Sequence, residues 1–290
     1  MIQLDELQKL PVDRISLGYA EDGAFIIPGL AVITTTECNL HCKLCVQKTS
    51  YIKGKMFRFP QLKAWLDEVF EIADYVIKLS LGGGEPLINS DLTEILLYLN
   101  NYRNRIGSLR IVTNATILPN EDLIQASAIT KCNWLLADYP VKNRLSEIVT
   151  LLENNNIEYQ ARDYRSATPY MDGWVDFGDF KTKHERHGVC PRINQYINLV
   201  DGKLFACGME GVFMQVDEKA AFDRCRDSSI DLENHNETVS FKREKLISAR
   251  QKGSVDLCEY CNGNDADCPR FTPGEQLTPQ ELVEIRKSEM

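Results

Sequence analysis

The chain has 290 residues, with 33 Lys and Arg against 42 Asp and Glu, and a formal net charge of −9. That length holds one large domain or two modest ones with a real core, and the negative balance lacks the basic footprint of a general nucleic-acid binder. No 18-residue apolar run is present, and Met1 to Leu7 is acidic without an apolar stretch, so neither a membrane span nor a signal peptide is expected, and the chain reads as cytoplasmic.

In chain order, residues 1–29 read as an extension. It holds a short helix over Asp5 to Leu10, stopped by Pro11, and an Asp22-Gly23 turn between apolar stretches. Ala31 to Thr36 is an apolar, β-branched strand. It ends in a loop carrying Cys38, Cys42 and Cys45, spaced C-x3-C-x2-C. Three thiolates on one short loop can grip one face of an iron–sulfur cube and leave one iron without a protein ligand. Catalytic metal centres keep such an open position, whereas structural centres are closed. A zinc loop or scattered structural thiols is the alternative at this point.

Phe59 to Ala73 has apolar residues at helical spacing, and Val76 to Leu81 is a short buried strand. The strand runs into Gly82-Gly83-Gly84-Glu85-Pro86. Glycines there let a ligand approach the backbone, and successive free N–H groups form an anion-receptive nest. Asp91 and Glu94 predict a capping box that opens a helix to about Asn101. Leu109 to Thr116 is a third strand ending in Thr113-Asn114. Helices over Glu121 to Ile129 and Leu145 to Leu152 alternate with strands over Asn133 to Tyr139 and Ile157 to Asp163. This is the βα pattern of a parallel sheet, an α/β fold.

Residues 164–189 form an aromatic-rich linker with Tyr164, Tyr170, Trp174 and Phe177, which either lines a substrate site or packs over the sheet; His184 and His187 lack a metal partner. Asp201-Gly202, between two apolar runs, is a hairpin turn that brings Cys190 and Cys207 to one end of a ribbon. Cys258-x2-Cys261 follows, and four Cys in two pairs make a closed metal site. By spacing alone the set is equally a zinc ribbon. Ten Cys without a secretion signal point to metal or redox chemistry. Cys132 and Cys225 stand alone as buried thiols, and Cys268 is spare. Ser240 to Gln251 reads as an amphipathic helix, and Thr278-Pro-Gln-Glu281 caps a last helix that docks on the surface.

The Cys38, Cys42 and Cys45 loop after a first strand, with Gly83-Gly84-Glu85-Pro86 after the second and Thr113-Asn114 after the third, resembles the radical S-adenosylmethionine (SAM) enzymes. The resemblance implies a partial (β/α) barrel of five to six parallel strands. It implies a [4Fe–4S] cluster on the three Cys, whose open iron chelates the amino and carboxylate groups of SAM. It implies SAM contacts from Gly83, Gly84, Glu85, Pro86, Thr113, Asn114 and Asp138. Reductive cleavage of SAM then yields a 5′-deoxyadenosyl radical that takes a substrate hydrogen. Cys190, Cys207, Cys258 and Cys261 resemble the twitch domain, a shortened SPASM domain built from a β-hairpin and a helix, which holds a second, auxiliary [4Fe–4S] cluster.

The implied domains are 1–29 (extension), 30–180 (radical SAM core), 181–270 (auxiliary-cluster domain) and 271–290 (C-terminal helix). Two positions depart from the family pattern, Leu44 where an aromatic is frequent and Ala115 where Gly is common, and no clear fifth-strand G-x-I-x-G-x-x-E motif is found. The chain is also similar to the small aminocyclitol- and carbohydrate-dehydrogenase-type members. That implies an oxidoreductase acting on a secondary alcohol of a sugar or cyclitol, with a flavodoxin or ferredoxin as electron donor. Asp138, Tyr139 or Asp163 would serve as base and Arg162 would orient the substrate. Radical modification of a ribosomal peptide, and a non-catalytic zinc or cluster scaffold, are the alternatives.

Overall fold

The structure is a computed structural model and describes residues 17–167, 174–183, 190, 193, 196–263 and 268–288. The predicted helix over Asp5 to Leu10, Tyr170, His184 and His187 lie outside the described residues.

A short strand β1 (Gly18–Tyr19) turns through Asp22-Gly23 and pairs antiparallel with β2 (Phe25–Thr35). β2 starts six residues earlier than Ala31 and runs through Pro28. Its pairing with β1 ends at Ile26, and its pairing with β8 (Ile197–Val200) starts at Leu30. Pro28 falls in that gap, where a missing N–H is tolerated. From β2 the chain alternates. Helix α1 (Phe59–Ile72) leads to β3 (Tyr75–Gly83), and α2 (Leu92–Leu99) to β4 (Ile106–Thr113). Helix α3 (Glu121–Thr130) leads to β5 (Asn133–Asp138), and α4 (Leu145–Asn154) to β6 (Tyr159–Asp163).

These helices form because their apolar residues recur on one face, as with Leu62, Trp65, Leu66, Val69 and Phe70 of α1, all buried. The predicted capping box at Asp91 does not form. The Asp91 carboxylate instead accepts from the Phe59 N–H (3.0 Å) at the start of α1 and pairs with Arg58. An orphan donor of a neighbouring helix outcompetes the local one. At the C-terminus the capping box does form. Thr278 N–H donates to Glu281 (2.7 Å) and Glu281 N–H to Thr278 Oγ1 (3.2 Å), opening α8 (Pro279–Ser288).

The sheet order is β10-β9-β8-β2-β3-β4-β5-β6. The six strands from β8 to β6 run parallel. The sixth parallel strand, β8, is the first arm of the Asp201-Gly202 hairpin, and it lies beside β2. Asp201 and Gly202 both take positive φ (51° and 74°), as a two-residue hairpin turn requires. The hairpin's second arm β9 (Lys203–Phe205) and then β10 (Ser229–Asp231) extend the edge antiparallel. Helices α5 (Gly208–Val216), α6 (Glu218–Arg224) and α7 (Val239–Gln251) complete this end. A small ribbon joins β7 (Trp174–Val175) to β11 (Arg270–Phe271).

The strand pleat sorts side chains by alternate positions. Leu30, Leu79, Leu109, Ile111 and Leu136 are fully buried in the core. Ala31, Ser80, Arg110, Val112 and Ala137 line a cavity on the concave side.

Candidate functional site

The Cys38 loop leaves the C-terminal end of β2, the edge where α/β folds gather their ligands. Its start is pinned by Thr36: the Thr36 N–H donates to the Lys55 carbonyl (2.9 Å) and Thr36 Oγ1 accepts from Lys55 N–H (2.8 Å). Cys38, Cys42 and Cys45 all line one cavity of about 410 Å3, together with Gly82, Gly83, Gly84, Asn114 and Tyr139. Each sulfur accepts a donor. Leu40 N–H (3.5 Å) and Asn114 Nδ2 (3.8 Å) reach Cys38, Gln276 Nε2 (3.1 Å) reaches Cys42, and Thr49 Oγ1 (3.7 Å) reaches Cys45. Sulfurs held as acceptors suit thiolates bound to metal, whose outer partners orient them. Burial pushes the Cys38 thiol up to about 11 and the Cys42 thiol up to about 12, and repulsion from Cys45 adds to both. A coordinated cation is what reverses that balance. Donor type and placement therefore fit a three-Cys iron–sulfur centre.

Gly83 and Gly84 are brought to the cavity, but the expected anion nest is not there. Gly84 N–H donates to Thr35 O (2.8 Å) and Glu85 N–H to Glu37 O (2.9 Å). The glycines serve close packing instead. A Cβ on Gly83 would overlap the Thr35 carbonyl oxygen, and one on Gly84 the Glu37 carbonyl oxygen. Glu85 and Pro86 are buried and do not line the cavity. The Glu85 carboxylate turns away to accept from Thr113 Oγ1 (2.7 Å), Asn114 N–H (2.8 Å) and Leu87 N–H (3.1 Å). It ties the end of β3 to the end of β4. Asn114 keeps its place beside Cys38, and its amide also donates to Asn39 (3.0 Å). Ala115 takes φ 56°, the left-handed backbone for which Gly is favoured.

Burial pushes the Glu85 carboxyl up to about 7, against three donors that each lower it. The native state therefore holds a proton that the unfolded chain has released above about 4.5. This contribution to stability is full below the unfolded value and is lost as pH rises through about 7. Between pH 5 and 8, wild type is expected to lose about 2–3 kcal/mol more stability than Glu85→Gln in urea denaturation. Equal losses in the two proteins would show that Glu85 is ionised throughout.

The four expected catalytic side chains separate. Tyr139 lines the cavity, stacked on Tyr164 (centroids 5.1 Å) and edge-on to Trp174 (5.3 Å). Burial, and the nearby Tyr164 and thiols, hold its phenol well above the usual range, so it is a wall and a donor rather than a base. Asp138 does not line the cavity. Ala137 and Tyr139 face in, so the pleat turns Asp138 outward, where it accepts from Asn143 (2.6 Å) and pairs with Arg165 (2.6 Å). Arg162 and Asp163 sit on β6, the exposed edge strand. Arg162 donates to Tyr164 (3.4 Å). Asp163 accepts from Ser166 and Arg165, which lower its carboxyl and spend it on a turn. Side-chain direction thus places Tyr139 on the cavity, and Asp138, Arg162 and Asp163 outside its lining.

Two cavity features escaped sequence reasoning. Arg110, on β4, donates from Nε to Ser80 Oγ (2.8 Å) and from Nη2 to the Tyr196 hydroxyl (3.1 Å). A charge inside an apolar strand was its only signal. The second feature is a strap over the Cys loop. His41 N–H donates to Gln276 Oε1 (2.9 Å), Lys43 N–H to Glu275 O (2.7 Å) and Leu277 N–H to His41 O (2.7 Å). Lys43 pairs with Glu275 (3.0 Å) and Glu281 (3.1 Å), and Gly274 packs on the Tyr139 ring. No local motif announces it, since Gln276 lies 234 residues from Cys42.

Cys190, Cys207, Cys258 and Cys261 line one small apolar cavity. Cys207 precedes α5, and its N–H donates to Glu210 (3.0 Å). Glu210 is buried, accepts from Ser228, and is pushed up to about 7 by burial. Arg250, at the end of α7, is buried with Nε and Nη2 unpartnered among the described residues. Burial lowers it to about 10, and the field of Cys207 pulls it back up. A buried cation with orphan donors calls for an anion beside it, which a four-thiolate centre supplies. Among the described residues no three His, Cys, Asp or Glu converge as a single ion requires. A cube takes each thiolate on a different iron, so its ligands need not meet at one point. Cys225 does not stand apart as expected; the fold sets it against Glu210, within the field of Cys207. Cys268 donates to the Asn262 carbonyl (2.8 Å).

The two cysteine sets lie at different levels of the sheet. Cys38 follows β2, whereas Cys207 follows β9, antiparallel to β8 and level with the start of β8. Leu30 pairs with Ile197, so roughly 20 Å of β2 separates the two levels.

Residues 32–136 match the radical SAM superfamily. A GTP 3′,8-cyclase of Campylobacter lari is 30% identical over 106 residues, covering 35% of this chain and 32% of that protein. A probable GTP 3′,8-cyclase of Methanococcus aeolicus is 30% identical over 98 residues, covering 32% and 31%. The chain thus spans about a third of the length of these curated relatives. Among solved structures, that of BtrN in complex with AdoMet and 2-DOIA matches over 86% of this chain and 96% of that one, with a TM-score of 0.52 and 16% identity. That likeness is one of fold. No described helix is long and apolar enough to cross a membrane.

Proposed function

We propose, from its membership of the radical SAM superfamily over residues 32–136, that this chain is an oxidoreductase for a secondary alcohol of a sugar or cyclitol. Cys38, Cys42 and Cys45 would hold a [4Fe–4S] cluster, with SAM in the adjoining cavity. Cys190, Cys207, Cys258 and Cys261 would hold an auxiliary one. Bound there, cluster and SAM supply hydrogen-atom abstraction from an unactivated C–H bond.

The chain's residues would do the rest. Gly83 and Gly84 lock the end of β3 against the start of the cysteine loop, and Asn114 orients Cys38. Tyr139 and Trp174 line the cavity, with Tyr164 stacked on Tyr139, and would wall off water. Among the described residues no carboxylate or imidazole lines the cavity, so the alcohol proton would leave through hydroxyls such as Tyr196. The balance would be two electrons: one hydrogen atom from the carbinol carbon, one proton from its oxygen, and one electron for which a cluster held by Cys190, Cys207, Cys258 and Cys261 would be the acceptor.

The observation that supports this reading most is that Cys190, Cys207, Cys258 and Cys261 line one small cavity of their own, where an auxiliary cluster would serve as the electron acceptor. On this reading residues 30–180 house the radical chemistry and 181–270 the acceptor. The curated relatives favour a second reading, ring-forming radical chemistry on a nucleotide, through a match to about a third of each.

Metal content after anaerobic reconstitution tests the proposal. About eight irons are expected in wild type and about four in Cys38→Ala/Cys42→Ala/Cys45→Ala, which should also lose SAM cleavage. One zinc and no iron in that variant would remove the electron acceptor and with it the dehydrogenase reading.

A further inference from the structure

We infer that the substrate carries an oxyanion, a phosphate or carboxylate, and that Arg110, Ser80 and Tyr196 receive it. This rests on the reading above and narrows its substrate class. Arg110 is the charged side chain of the cavity lining. Among the described residues no carboxylate pairs with it; its partners are two neutral hydroxyls, at 2.8 and 3.1 Å. Both hydroxyls act as acceptors toward the guanidinium, so each keeps its own proton to donate. The guanidinium keeps Nη1 and the remaining hydrogen of Nη2, the edge that binds an oxyanion through two parallel bonds. One cation and two polarised hydroxyls on one wall form a receptor for negative charge.

The cofactor does not account for it. In the proposed reading the carboxylate of SAM sits at the cysteine trio, beside Asn114. Arg110 lies four residues before Asn114 along β4, roughly 13 Å of strand. Ser80, its register partner on β3, holds the guanidinium sideways at its own level. Tyr196 directly precedes β8, at the end of the sheet that carries Cys207. The receptor therefore sits between the two cysteine sets, where a substrate must lie to give a hydrogen atom to one side and an electron to the other.

The test uses the full reconstituted chain with SAM and reads binding by calorimetry. The probes are inorganic phosphate, acetate, glucose 6-phosphate, glucuronate and neutral methyl glucoside, at constant ionic strength. Wild type should bind the phosphorylated or the carboxylated sugar at least about tenfold more tightly than the neutral one; which of the two wins identifies the anion. Arg110→Gln should erase the preference, Arg110→Lys should retain part of it, and Tyr196→Phe should weaken it. Iron content and circular dichroism verify that each variant folds. Equal binding of charged and neutral sugars by wild type, or an unchanged preference in Arg110→Gln, overturns the inference. Its failure is separable from failure of the proposed function, which is read without any sugar probe from the iron content of wild type and of the triple-Cys variant.

Discussion

Gly83→Ala is expected to destabilise the protein by about 4 kcal/mol or more and to leave it unable to hold iron on the Cys38 loop. Gly83 takes φ 130°, a region closed to other residues, and its Cβ would overlap the Thr35 carbonyl oxygen and crowd Ile33. Neither neighbour can yield. Thr35 ends the central strand, and its carbonyl accepts the Gly84 N–H (2.8 Å). The next contact, Glu85 N–H to Glu37 O (2.9 Å), holds the residue before Cys38. Moving β3 away from β2 therefore breaks the seat of the cysteine loop. Gly82→Ala is the control, because its Cβ meets only Val112, at an ordinary 3.8 Å. Urea midpoints and iron content of the three proteins decide the matter. A Gly83→Ala midpoint equal to that of wild type would mean that the two strand ends are not locked together.

Gln276→Leu should leave the fold intact and change the cluster. The Gln276 side chain closes a short circuit: Oε1 accepts from His41 N–H (2.9 Å), and Nε2 donates to Cys42 (3.1 Å) and to the Gly274 carbonyl (2.7 Å). A hydrogen bond to a cluster sulfur stabilises the more negative, reduced state, so its loss should lower the reduction potential. Loss of such outer partners commonly costs 10- to 100-fold in metal affinity, and iron should leave the variant faster by about that factor in chelator. Gln276→Glu keeps the shape but replaces the donor with an acceptor, and should lower the potential further. The readouts are a redox titration followed by electron paramagnetic resonance and the rate of iron release. A potential unchanged in both variants would reduce the strap to a packing element.

Much of the site was legible because its chemistry is local. Cys38, Cys42 and Cys45 share one loop, so their spacing survives any tertiary arrangement. The alternation of strand and helix from Ala31 to Asp163 follows from periodicities of two and 3.6 residues, and the sheet has the five strands so expected. The hairpin at Asp201-Gly202 was equally plain, since that turn needs two positive φ values. Its destination was not plain. A turn signal says that two arms pair, not that one of them joins β2 as a sixth parallel strand.

Asp138 shows what the sequence left open. A polar residue at a strand end is attractive as a base, but facing is decided by the pleat. Ala137 and Tyr139 took the inward positions, and Arg165 claimed the carboxylate. Glu85 is a second case: the motif sets it beside the cavity, and its carboxylate accepts from Thr113 and Asn114.

The sequence by itself therefore determined the Cys38, Cys42 and Cys45 spacing, the α/β order and the local turns, because each depends on residues within a few positions of one another. Only the tertiary structure decided which side chains meet in the cavity. Arg110 reaches Tyr196 across 86 residues and Gln276 reaches Cys42 across 234. Such contacts arise from how strands register and where the chain end docks, and no local pattern encodes them.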